Sequence, residues 1–161
     1  MGSLPQLIEE DIKEIDSILS VFIKKAEATS VLLLAEGGFL VCQYGQTDGL
    51  DTMSLVALAS NSFEANRMIA GLMGEPNFSS IYQAGENCSL FVQSIDGFNV
   101  MVVIFPVTVG VGLVRHYAQS ARDEVARVFT RAKERAPNNG LDLAMMNVTD
   151  SSQIFHRRNN S

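Results

Sequence analysis

Residues 30–75 read SVLLLAEGGFLVCQYGQTDGLDTMSLVALASNSFEANRMIAGLMGE. Two short apolar runs, Ser30–Ala35 and Phe39–Tyr44, flank Glu36-Gly37-Gly38. Each run is too short for a helix, and the glycines supply the positive φ angles of a tight turn, so the pair reads as a β-hairpin. Asp51-Thr52 then offers an N-cap to a proline-free stretch, Met53–Met73, that stops at Gly74 with Pro76 just beyond. Those are the start and stop signals of a helix. A hairpin running into a long helix makes the chain α+β. The apolar residues of that helix form two stripes: Leu55, Leu58, Ala59, Ile69, Leu72 and Met73 on one face, and Val56, Phe63 and Ala70, seven apart, on another. Two apolar faces need two surfaces to bury against. In a chain of 161 residues the second surface is expected to be another subunit, met by Val56, Phe63 and Ala70.

Upstream, Ile8, Ile12, Ile15, Leu19, Phe22 and Ala26 make one stripe of an amphipathic helix over residues 5–27. Pro5 suits its first turn, and acids lie early (Glu9, Glu10, Asp11) and lysines late (Lys24, Lys25), as the helix dipole favours. Downstream, Phe78–Ala84, Ser89–Ile95 and Asn99–Pro106 read as three strands joined by Gly85-Glu86-Asn87 and Asp96-Gly97 turns. The last strand is apolar at nearly every position and belongs in the middle of the sheet, covered on both faces. A third helix, Leu113–Arg135, carries Val114, Tyr117, Ala121, Val125, Val128 and Ala132 as its stripe, and Pro137-Asn138-Asn139-Gly140 ends it. The order is α-ββ-α-βββ-α: a five-stranded, mostly antiparallel sheet with helices on both faces. Residues 5–136 are expected to form one domain and 137–161 a mobile tail.

The chain is 47% apolar and 19% charged with a net charge of −6, which argues against holding nucleic acid by phosphate neutralisation. The charge is polarised: residues 1–100 carry 13 acids and 4 bases, and residues 101–161 carry 5 acids and 8 bases. No apolar run is long enough to span a membrane, and Met1–Glu10 lacks the pattern of a secretion signal, so a cytoplasmic protein is expected. Cys42 and Cys88 stand 46 positions apart without a second pair, which suggests neither a disulfide framework nor a zinc site.

Candidate chemistry is sparse. Gly110-Val111-Gly112 lacks the third glycine of a dinucleotide loop, since Arg115 occupies that position, and reads as a turn into the third helix. Neither His116 nor His156 has a ligand or catalytic partner at useful spacing, and no nucleophile–base pair emerges. The expectation is no catalytic residue, no metal, no cofactor and no intrinsic enzyme activity. Arg127, Arg131 and Arg135, four apart, form a basic ridge with Asp123 placed to pair with Arg127. The ridge serves either as a solvated helix face or as a docking surface.

The runs VLLLAEGGFLVCQYGQ, DTMSLVALASNSFEANRMIAGLMGE and VMVVIFPVTVGVGLVRHYAQSARDEV together resemble the Roadblock/dynein light chain family over residues 7–132. Within it, the resemblance is to the bacterial MglB (mutual gliding protein B) group. The carriers are Gly45-Gln46-Thr47, Asp51-Thr52, Ser54-Leu55, Gly74-Glu75, Phe78 and Gly112-Leu113-Val114-Arg115, specific through their order and spacing. The resemblance implies a Roadblock/profilin-like homodimer whose sheets join edge to edge while the two second helices pack side by side. Dimer contacts would come from Val56, Phe63, Ala70, Phe78, Ile81 and Tyr82. It also implies a small Ras-like, MglA-type GTPase as partner, held on a helix platform of Asn61, Glu64, Ala65, Arg67 and Met68. Proteins of this group act in motility and cell polarity, and accelerate GTP hydrolysis by repositioning the GTPase's own residues, without an arginine finger. The implied function is therefore GTPase activation in the cytoplasm, at a cell pole in such proteins, with no nucleic acid and no membrane insertion. The alternative is a non-catalytic dimeric scaffold that binds other Roadblock or polarity proteins. Where the group carries small residues, this chain has Asn61, Glu64, Arg67 and Met68, bulkier and charged. Arg67 is either a contact or a solvated helix residue. In the tail, Ile154 and Phe155 resemble a segment that reaches the GTPase away from the platform and promotes exchange, although Arg157-Arg158 stand where acids are expected.

Overall fold

The structure, a computed structural model, describes residues 6–135. The first helix, α1 (Glu9–Ala26), is followed by the hairpin β1 (Ser30–Ala35) and β2 (Phe39–Gly45), then α2 (Thr52–Leu72). Three strands, β3 (Ser80–Gln83), β4 (Cys88–Ser94) and β5 (Val100–Pro106), lead into α3 (Val111–Arg135). The expected order is thus observed, with β3 shorter than the apolar run that announces it. The expected tail, residues 137–161 with Ile154 and Phe155, lies outside the described residues.

The strands pair in the order β2-β1-β5-β4-β3, every pair antiparallel. Alternation along the inner strands divides the core into two layers. Val31, Leu33, Met101, Val103 and Phe105 face α1 and α3, where they meet Ile15, Leu19, Phe22, Val125 and Phe129. Leu32, Leu34, Val100 and Val102 face the opposite side and meet α2. Both faces of β1 and β5 are therefore covered, which is why these strands read as continuous apolar runs. The sheet is left with two open edges, β2 and β3.

Backbone conformation is set at a few positions. Gly37 and Gly38 close the β1–β2 hairpin at φ 84° and 81°, the left-handed values the turn requires. Gly45 ends β2 at φ 101°, and a Cβ there would stand 2.4 Å from the Thr29 carbonyl oxygen, so strand and loop meet where only glycine fits. Asp51 caps α2 by accepting the Ser54 N–H at 3.2 Å.

The first turn of α1 departs from the expected stripe. Ile8 and Ile12 are exposed, and the inward position belongs to Asp11, only 1% exposed. Its carboxylate accepts the Ile8 N–H at 3.0 Å and pairs with Arg135 and, at 3.5 Å, with Arg131. Arg131 also pairs with Glu14. Arg131 and Arg135 of the basic ridge remain exposed and at the same time clasp α1 to the end of α3. Asp123 pairs with Arg122, at 3.6 Å, instead of Arg127.

Candidate functional site

The rotation of α2 decides which of its residues can meet a partner. Val56 (2% exposed), Ala59 and Phe63 (7%) point into the protomer, against Leu32, Leu34, Val92, Val100 and Val102, and Ala70 (0%) is buried as well. This reverses the sequence expectation: Val56, Phe63 and Ala70 are spent within the protomer and have almost no surface to give to a dimer. The other stripe is divided: Ala59 is in this core and Leu55 packs against it, while Leu58, Ile69, Leu72 and Met73 are open. Leu58 is 66% exposed and Leu72 89%, and Met53, Met68, Ile69 and Met73 are also exposed. Exposed apolar side chains gathered on one helix make it the candidate protein-interaction surface of the described residues, and the methionines among them are adaptable in shape.

Two concavities flank α2. On the β3 side, Leu55, Leu58, Ser62, Ile81 and Leu90 line an apolar groove of about 250 Å³. Ile81 is half-buried beside it. Tyr82 points to the opposite face of the sheet, exposed but stacked on Phe105 with ring centroids 6.1 Å apart, and Phe78 is half-buried just before the strand. Phe78, Ile81 and Tyr82 thus lie at or just before the free β3 edge, but only Ile81 is shown beside α2, while Tyr82 faces the α1–α3 side.

On the other side, α2 and the turns β1–β2 and β4–β5 enclose a cavity of about 390 Å³. Asn61, Glu64 and Arg67 line it, together with Glu36 and Phe98 from the two turns. Glu64 and Arg67 form an exposed i,i+3 pair at 3.4 Å. Ala65 and Met68, the remaining platform residues, are exposed outside this cavity. The platform named from sequence is therefore split between a cavity wall and the open helix face. Glu36 and Phe98 were missed, because each sits in a turn whose reading calls only for its glycines. The nearby β4–β5 turn is fixed by Asp96, which accepts the Phe98 and Asn99 N–H groups at 3.1 and 2.9 Å and pairs with Lys133 at 3.3 Å. Burial raises the Asp96 carboxyl, but these donors outweigh it and hold it below its ordinary value.

Among the described residues, no three His, Cys, Asp or Glu side chains converge as metal ligands, and no helix is long and apolar enough to cross a membrane. Burial, with Asp16 adding to it, pushes the Cys42 thiol up to about 12, so it stays protonated and packs as a small core residue. His116 is exposed and packs edge-to-face on Tyr117.

Residues 14–105 match the Roadblock/LC7 domain. Among solved structures, Myxococcus xanthus MglB is 32% identical, with a TM-score of 0.74 over 78% of this chain and 95% of that one. A structure described as MglB with tetrameric arrangement is 21% identical, with a TM-score of 0.76 over 82% and 99% of the two chains. The gliding protein MglB of Thermus thermophilus is 20% identical, with a TM-score of 0.74 over 81% and 99%. A search of curated protein sequences returned no significant match.

Proposed function

We propose, from the premise that this chain belongs to the Roadblock/LC7 family and is MglB-like within it, that it is a homodimeric regulator of a small Ras-like GTPase. Its most specific role on this reading is activation of GTP hydrolysis by an MglA-type partner in bacterial motility or polarity. The observation that carries the reading is the exposed apolar stripe of α2, with Leu58, Met68, Ile69 and Leu72 open to solvent on a helix otherwise well capped and packed. One flank of the stripe adjoins the free β3 edge, where Phe78, Ile81 and Tyr82 together with Leu58 and Leu72 serve the dimer. Asn61, Glu64, Ala65, Arg67 and Met68 serve the GTPase. On this reading acceleration comes from reshaping the partner's site and not from donated chemistry.

The test is phosphate release by a GTP-loaded MglA-type GTPase from the same genome, with and without this protein. Faster hydrolysis together with binding that prefers GTP over GDP supports the reading. GTP-dependent binding without acceleration leaves a scaffold. Absence of binding in either nucleotide state removes both.

A further inference from the structure

We propose that the cavity between α2 and the two neighbouring turns is a receptor for an arginine side chain of the partner protein, a specificity pocket beside the α2 platform. This deepens the reading of α2 as the partner-binding face and rests on it. Three observations carry it. The first is size and position: at about 390 Å³ the cavity holds a long side chain, and it opens next to Asn61 and Glu64 on the flank of α2 away from the β3 edge. A dimer built on that edge therefore leaves it free.

The second is charge. Glu36, on the β1–β2 turn, and Glu64, on α2, both line the cavity. Arg67 pairs with Glu64 at 3.4 Å, with both side chains substantially exposed, whereas Glu36 forms no ion pair among the described residues. One carboxylate is thus left without a cation, and the other is held by a loose, exchangeable one. A guanidinium entering between them would satisfy Glu36 and compete with Arg67 for Glu64, with fork geometry suited to carboxylates.

The third is the rim. Phe98 is 49% exposed, and its ring already attracts a cation: the Lys133 ammonium lies 5.8 Å from the ring centroid. Guanidinium stacks on such a ring more readily than ammonium does. Arginine fits this lining: its aliphatic stem suits Ala35, Ala57, Phe63 and Val100, and its planar head suits the carboxylates and the Phe98 ring.

The direct experiment titrates the isotope-labelled full chain with N-acetyl-arginine amide while its amide spectrum is recorded, with N-acetyl-citrulline amide as the neutral isostere. Arginine should shift the amides of Gly37, Gly38, Gly97 and Phe98 saturably in the millimolar range, and citrulline should not. Glu36→Gln should weaken binding about threefold, the scale of one exposed ion pair. Arg67→Gln should strengthen it by a similar factor, because it removes the competing cation; a purely structural role of Arg67 would not produce a gain. Diffuse or absent shifts, equal shifts with citrulline, or indifference to Glu36→Gln would overturn the pocket. In a parallel experiment with the GTPase, Glu36→Arg should weaken its binding. Equal binding by wild type and Glu36→Arg would remove the pocket's role and leave the platform standing. Arginine binding without any GTPase binding would do the reverse.

Discussion

Asp11 shows how a single residue reaches across the chain. Burial raises its carboxyl, but the Ile8 N–H, Arg135 and Arg131 outweigh that and hold it below its ordinary value. A carboxylate whose folded value is depressed stabilises the protein above its unfolded value, and that contribution is lost as pH falls through the folded one. Asp11→Asn should therefore cost about 1–2 kcal/mol near neutral pH, the scale of a capping bond and a partly screened pair. Urea titrations should show the gap between wild type and variant closing below about pH 4, the unfolded carboxyl value; a gap that persists in acid would mean the loss is steric. Gly45 makes a second prediction at this scale. With φ 101° and the Thr29 carbonyl 2.4 Å from a would-be Cβ, Gly45→Ala should cost at least about 2 kcal/mol, read as a lowered melting temperature. Gly49, also at positive φ but facing open space, should tolerate Ala with a smaller loss.

At the scale of elements, α2 has one face for its own protomer and another for partners, and substitutions should sort accordingly. Phe63→Ala, in the core against β1 and β5, should cost about 3 kcal/mol of protomer stability. Leu58→Glu with Leu72→Glu should leave the circular dichroism spectrum intact while shifting sedimentation toward the monomer. A reversal, with Phe63→Ala harmless to folding and the double variant unfolded, would put the helix in the opposite rotation. That rotation is what the sequence left undecided. Two apolar stripes of similar strength are visible in residues 51–75, but periodicity fixes only their angular separation, not how they divide between sheet and solvent, and Leu55 and Ala59 of the first stripe join Val56 and Phe63 in the core. The exposed methionines at 53, 68 and 73 were the available hint. By contrast, the hairpin glycines, the Asp51 cap and the apolar β1 and β5 runs were legible, because each is a local rule that the tertiary structure reinforces. Asp11 was not legible for the opposite reason: its partners Arg131 and Arg135 lie at the far end of the chain, and only packing of α1 on α3 brings them together. The candidate site was half legible. Asn61, Glu64 and Arg67 were found on the helix, while Glu36 and Phe98 join them through turns that pattern reading treats as punctuation.

For the whole molecule, the sheet separates a thick, well-clasped layer of α1 and α3 from a thinner layer made by α2 alone. The thin layer carries the open apolar stripe, the groove beside β3 and the acidic-walled cavity, so both proposed contacts, to a second copy and to a GTPase, fall on one side. The polarised charge seen in the sequence meets within the thick layer: most bases of the second half lie on α3, beside the acids of α1, and two of them are tied to Asp11. On the α2 side, Glu36 and Glu64 at the cavity favour a partner with basic surroundings at its contact surface. Regulation of a GTPase by this side is read out in single-turnover phosphate release from a GTP-loaded MglA-type GTPase across a concentration series of this protein. The account predicts a rate that rises with concentration to a plateau at least about tenfold above the unaided rate, about 1.4 kcal/mol of barrier, and a loss of that gain with the folded Leu58→Glu, Leu72→Glu variant. A rate independent of the protein's concentration, or one raised equally by wild type and variant, would contradict it.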